Sequence, residues 1–183
     1  KSVAKPLDPL FVRGQFPAAL WKWAFFESAG GSYVPKSVIE RLTAYMSENQ
    51  VQPGTYFPGA AKALERMNIG HTLMAAMIGA NPNEVVIGPS TSINIYVLAN
   101  ALRSLWDEGS EIIVAVQNHE ANSTPWRRLS DSGIKVLDWP VLPETGALDI
   151  KVLENLLSDR TRLVAFPHVS NILGAINDIQ AIT

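Results

Sequence analysis

Glu111 to Val116 (EIIVAV) is almost uninterruptedly apolar and rich in β-branched residues. The run is too short for a buried helix and lacks the apolar–polar alternation of a half-exposed strand. It suits a strand covered on both faces, as in a parallel sheet layered between helices. Parallel neighbours cannot be joined by a tight turn, so helices must alternate with strands along such a chain.

The rest of the sequence keeps that rhythm. After Pro35, the residues Val38, Ile39, Leu42, Tyr45 and Met46 recur at helical spacing, with proline near the first turn, where its missing N–H costs nothing. A second helix is predicted from about Ala60 to Ile78, with Leu64, Met67, Leu73, Met74 and Met77 as its larger apolar members, ending before Asn81-Pro82-Asn83. Gly70 inside it costs about 1 kcal/mol against alanine. Strand and helix then alternate: a strand at Glu84–Gly88, a helix at Ser92–Trp106, and the strand EIIVAV. A helix around Trp126–Ser132, a strand at Ile134–Trp139, a helix at Asp149–Leu157 capped by Asp149, a strand at Arg162–Phe166 and a helix from Asp178 complete the series. No internal repeat stands out. The fold class expected is α/β, a mostly parallel sheet sandwiched by helices.

Composition narrows the function. The chain has 183 residues, the scale of one domain. With 47% hydrophobic and 17% charged residues, it carries enough apolar material for a core and is not expected to be disordered. A formal charge of -2 without any block of like charge gives no footprint for nucleic acid. There is no cysteine, which excludes disulfides, thiolate metal sites and a cysteine nucleophile from this segment, and a cytoplasmic protein is expected. Lys1–Phe26 is too interrupted by Pro6, Asp8, Pro9, Arg13, Pro17 and Lys22 to read as a signal peptide. No run approaches the roughly 20 apolar residues that span a bilayer, so no membrane partner is expected. The protein is expected to continue past Thr183.

Ligands of parallel α/β sheets bind beyond the carboxyl ends of the strands, and three polar clusters fall at such positions. Gly88-Pro89-Ser90-Thr91-Ser92 precedes a helix, whose unpaired N–H groups and partial positive charge can hold a phosphate. The same residues also read as an ordinary Ser/Thr cap. They match neither the dinucleotide fingerprint nor the nucleoside-triphosphate loop. Asn118-His119-Glu120-Ala121-Asn122 follows EIIVAV and offers an imidazole to stack on a ligand or move a proton, or simply a loop histidine bonded to backbone. His119 beside Glu120 matches no metal-ligand spacing, and no metal site is expected. His168 to Gly174 (HVSNILG) offers polar groups for a ligand edge, with Gly174 permitting close backbone approach. Alternatively, it forms a turn with Asn171 in the left-handed conformation.

HVSNILG resembles the HVSNVLG signature of cysteine desulfurases in the class V aminotransferase group. NHEANSTPW (Asn118–Trp126) is similar to that family's EHHANxxPW block, and EIIVAV to the strand before it. GPSTSIN (Gly88–Asn94) resembles the SGATEAN phosphate turn, and FVRGQFP with FFESAGG resembles a desulfurase-like subgroup. The order and spacings agree over nearly the whole chain.

The resemblance implies the large domain of a fold-type I pyridoxal-phosphate enzyme. Residues 1–183 would supply the N-terminal segment and first part of that domain, with its remainder and the small domain absent. It implies pyridoxal 5'-phosphate as cofactor, an amino acid as substrate and a homodimer as the assembly. By position, Ser90 and Thr91 would hold the cofactor phosphate. His119 would stack on the pyridine ring and take part in catalysis, and Asn171 would bond the ring's phenolic oxygen. Ala29 and Gly30 would lie on the substrate side.

Two departures stand out. Asn118 replaces the family's Glu or Asp before the stacking histidine, and Pro89-Ser90 replaces Gly-Ala in the phosphate turn. The pyridine-nitrogen Asp, a nearby Gln or His, the Schiff-base Lys and a desulfurase's Cys come later in the family. The lysines present (Lys1, Lys5, Lys22, Lys36, Lys62, Lys135 and Lys151) lie in other segments. The intact protein is therefore expected to be cysteine desulfurase-like, and these residues alone inactive. An aminotransferase, epimerase or kynureninase-like relative, or a non-catalytic α/β binding or assembly module, is the alternative. A nucleotide-binding domain is disfavoured by the missing phosphate-loop motifs.

Overall fold

The structure, a computed structural model, describes residues 6–18 and 22–183; Lys1 and Lys5 lie outside the described residues. The chain divides into two compact units, residues 1–87 and 88–183.

The first unit is helical. Its opening helix, α1 (Pro9–Gly14), was not expected from a proline-interrupted stretch. It forms because Asp8 caps it, accepting from the backbone N–H groups of Leu10 and Phe11, while Pro9 occupies the first turn. Helix α2 (Lys36–Glu48) begins directly after Pro35. Its first residue fastens to the end of α1: the Lys36 N–H donates to Gln15 O at 2.8 Å and Lys36 Nζ to Gly14 O at 3.0 Å. Helix α3 (Pro58–Ile78) starts two residues before the expected position.

Most of the periodic apolar residues of both helices point outward, Leu64 being half-buried. Val38, Ile39, Leu42, Tyr45 and Met46 on α2 are exposed, as are Met67, Leu73, Met74 and Met77 on α3; α3 buries only Ala60, Ala63 and Ala75.

Glu84–Gly88 is not a strand. Glu84 is committed to a 3-10 turn, where its carboxylate accepts from the Asn81 N–H at 2.7 Å in a capping box. Val85 is extended, but Val86 is 85% exposed, and the strands of the sheet pair among themselves. β-branched residues without a neighbouring ladder do not make a strand.

The second unit holds a parallel three-stranded sheet in the order β2-β1-β3, with β1 (Glu111–Ala115), β2 (Lys135–Trp139) and β3 (Thr161–Ala165). The central strand β1 is buried along its whole length. Ile112 and Val114 face one core with Ala99, Trp126, Leu129 and Ile134; Ile113 and Ala115 face the other with Trp139 and Leu153. The near-continuous apolar run thus has its physical cause: helices cover both faces, α4 (Thr91–Arg103) and α5 (Thr124–Arg127) on one, α6 (Ile150–Leu156) on the other.

Several boundaries differ from expectation. Helix α4 stops at Arg103 rather than Trp106, and the Trp126–Ser132 segment is the short α5 followed by a 3-10 turn over Arg128–Ser132. Asp149 does cap α6, accepting from the Lys151 N–H at 2.9 Å, and Asp178 caps the short α7 (Ile179–Ile182).

A repeat becomes visible in three dimensions. After β2 the chain runs Trp139-Pro140, then a hairpin with a Val141–Leu148 bridge, then Asp149 and α6. After β3 it runs Phe166-Pro167, then a hairpin with a Val169–Ile176 bridge, then Asp178 and α7. Each hairpin closes on a glycine of positive φ, Gly146 at 70° and Gly174 at 69°.

Candidate active site

Helix α4 ends eight residues before β1 begins and packs on the same face of the sheet as α5, so it runs back against β1. Its amino end therefore lies toward the carboxyl end of β1, and α4 also packs on the 3-10 turn (Glu120–Asn122) that follows β1. Ser90 and Thr91 begin this helix. The Ser90 hydroxyl oxygen caps it, accepting from the Ile93 N–H at 3.2 Å. The capping reading is thus realised, and it leaves the Ser90 hydroxyl hydrogen available to donate to an anion. The amides of Thr91 and Ser92 precede the first helical bonds. Residues 85–106 contain no acidic side chain. This is a donor set suited to a phosphate group.

A Cβ at Gly88 would fall 1.7 Å from the Asn94 side-chain oxygen, so any larger residue there would have to displace the Asn94 amide.

His119 stands four residues past the end of β1, exposed, as the cap of that 3-10 turn. Its Nδ1 accepts from the Ala121 N–H at 3.0 Å, so the neutral ring carries its proton on Nε2 and its plane is fixed by backbone. Beside it, Asn118 explains its own departure from an acidic residue. The Asn118 amide donates to Ala165 O at 2.8 Å, and its oxygen accepts from Asn122 at 3.0 Å. Asn122 in turn accepts from the indole N–H of the buried Trp126 at 3.0 Å. The first bond joins the loop after β1 to the carboxyl end of β3, and a carboxylate could not donate it. Glu120 accepts from the Thr124 hydroxyl, and among the described residues no group of three His, Cys, Asp or Glu side chains is placed to hold a metal.

Asn171 lies exposed in the hairpin that follows β3. It is not left-handed: among the described residues, positive φ belongs to glycines alone, and the turn is made by Gly174. The φ of 69° at Gly174 calls for glycine, and no protein atom lies within 4 Å of a Cβ built on it, so the space beside it is open. The buried Ser170 organises the turn, its hydroxyl accepting from the Leu173 N–H at 3.2 Å and its carbonyl from the Gly174 N–H at 2.9 Å.

Ser90, Thr91, His119 and Asn171 thus stand on segments at one rim of the sheet. That rim includes a switch point: β2 lies on one side of β1 and β3 on the other, with the connecting helices on opposite faces. Ala29 and Gly30 belong to the first unit, in a turn closed by the Gly30 N–H donating to Glu27 O at 3.0 Å.

Gln117, buried two residues past the end of β1, and its partner Asn177 were not legible in the sequence. The relay of Asn118, Asn122 and Trp126 did leave a signal there, the repeated spacing of four. At the opposite rim, Glu111 accepts from Lys135 Nζ at 2.7 Å and the Ser158 hydroxyl at 2.6 Å; these bonds, Lys135 first, hold its carboxyl below the ordinary glutamate value.

Comparison with known proteins bears on the family and the fold. The family model for Aminotransferase class-V matches residues 24–183. An aminotransferase-like protein of Gibberella zeae is 36% identical over 177 residues, covering 93% of this chain and 44% of its own length. A cysteine desulfurase of Serratia proteamaculans is 31% identical over 181 residues, covering 94% and 44%. A solved cysteine desulfurase of Escherichia coli superposes with a TM-score of 0.81 at 26% identity, over 97% of this chain and 45% of that one. The chain therefore spans less than half the length of these relatives. It belongs to the class V aminotransferase family.

Proposed function

We propose that the full-length protein is a pyridoxal-phosphate enzyme of the cysteine desulfurase kind, acting on an amino acid, and that this chain contributes the seat of the cofactor. One observation carries the reading: a phosphate-suited helix start, a backbone-fixed imidazole and an asparagine-bearing hairpin all occupy the carboxyl rim around the β1/β3 switch point.

In this reading, the Ser90 and Thr91 hydroxyls and the first amides of α4 bind the phosphate. His119 would hold the cofactor by stacking its ring on the pyridine, leaving the Nε2 proton free to donate. Asn171 donates its amide to the phenolic oxygen. Bound pyridoxal phosphate supplies an electron sink for the carbanion at the substrate Cα. The chain's own part is orientation, which decides which bond aligns for cleavage. Ala29 and Gly30 take the substrate side, and residues 1–183 form the first part of the large domain.

Homodimer assembly and a cytoplasmic location belong to the same reading. The exposed apolar stripes of α2 and α3 support the first, and the absence of cysteine from this segment the second. The test is to add pyridoxal phosphate to the full-length protein, reduce with borohydride and map the modified residue by mass spectrometry. Cofactor trapped on one lysine outside residues 1–183 is expected. Absence of any trapped cofactor would favour a non-catalytic module. Assayed next on cysteine, the protein should release sulfide or persulfide sulfur; transamination without sulfur release would assign it to the aminotransferase branch.

A further inference from the structure

The two hairpins on the carboxyl rim share one build and touch each other. A Cβ at Gly146 in the first would fall 2.7 Å from the Leu173 side chain in the second. Between them sits Gln117, and its burial inverts the usual order: Val116 is 52% exposed, while the polar Gln117 is 7% exposed. A buried carboxamide is tolerated only when its donors and acceptor are matched. Gln117 Nε2 donates to Gly146 O of the first hairpin at 2.8 Å, and its oxygen accepts from Asn177 Nδ2 at 2.7 Å. Asn177, 8% exposed, closes the base of the second hairpin: its amide also donates to Pro167 O at 2.7 Å, and its backbone N–H to His168 O at 2.9 Å.

We propose that Gln117 is a positioning residue, a buried clamp that makes the two hairpins one body and thereby fixes Asn171 relative to His119, two residues beyond the clamp. Satisfied buried polar networks rigidify what they join. Gln117 does this from the turn two residues past the end of the buried central strand. The role given to Asn171 rests on the proposed function; the clamp itself does not.

The test uses the full-length protein and three variants. Gln117→Met keeps the bulk and removes both bonds. Gln117→Glu keeps the acceptor for Asn177 and loses the donor to Gly146 O. Ser158→Ala, at the opposite rim, controls for general loosening. Amide exchange is followed without added cofactor. In Gln117→Met it should rise about tenfold in residues 141–148 and 169–176 together. In Gln117→Glu the rise should be larger in 141–148 than in 169–176, and in Ser158→Ala neither should change. A rise confined to one hairpin in Gln117→Met, or no rise, overturns the clamp.

The second readout is pyridoxal-phosphate affinity and the absorption maximum of the bound cofactor. Gln117→Met should weaken affinity several-fold and shift the maximum, with Ser158→Ala matching the wild type. Coupled exchange with unchanged affinity and maximum would overturn the positioning of Asn171 while the clamp stands. A wild-type protein that takes up no cofactor would overturn the functional reading instead, with the clamp still decided by exchange.

Discussion

Asn118 ties the loop after β1 to the end of β3 as an amide can and a carboxylate cannot, because it donates to Ala165 O while accepting from Asn122. Asn118→Asp should therefore destabilise the fold by about 1–3 kcal/mol, since it sets a carboxylate against a carbonyl and leaves that carbonyl without its donor. Urea unfolding checks this; an unchanged midpoint would mean the bond contributes nothing. At His119, alanine should weaken pyridoxal-phosphate binding in the full-length protein several-fold while phenylalanine preserves most of it, because the stacked ring supplies the contact. Equal affinities in all three would reduce His119 to a capping residue.

Glu111 sets a pH dependence. Its folded carboxyl titrates below the ordinary glutamate value, so its contribution is complete above that value and is lost as pH falls toward the folded one. Glu111→Gln should flatten the acid limb of a stability–pH profile, and an unchanged limb would contradict the assignment. At this scale the caps were readable from sequence, Asp149 from Asp-then-apolar spacing above all. Gln117 was not, because nothing in EIIVAVQ says that the glutamine turns inward and the valine outward.

Among the elements, the hairpins give the sharpest contrast. Gly146→Ala and Gly174→Ala both force alanine into a left-handed conformation, which costs about 1–2 kcal/mol. Only at Gly146 does the new methyl also meet Leu173, so Gly146→Ala should be the more damaging in chemical denaturation. Equal losses would mean that Leu173 yields freely. The sheet strands were legible because burial on both faces writes itself into EIIVAV. Glu84–Gly88 misled for the converse reason, since β-branched composition reports a preference for a pleated surface and not the presence of a neighbour. Helix α1 carried its Asp-Pro start signal openly, but the surrounding prolines obscured it. The hairpin repeat escaped because its two copies share an aromatic-Pro entry and a Gly-Ala exit around unlike centres.

For the whole molecule, the order β2-β1-β3 matters more than any single motif. It reverses direction at β1, with helices on both faces, so the loops after β1 and β3 lie at a switch point of the sheet, where parallel α/β sheets bind ligands. Alternating strands and helices made the parallel sheet readable, but strand order is a long-range property that local spacing does not record. Ser90, Thr91, His119 and Asn171 are proposed to grip one cofactor at that rim. A crystal structure of the full-length protein with pyridoxal phosphate measures it directly. The phosphate is expected within hydrogen-bond reach of Ser90 and Thr91, the pyridine ring against His119 and its phenolic oxygen on Asn171. A cofactor seated away from the carboxyl rim, or touching only one of the three segments, would contradict it.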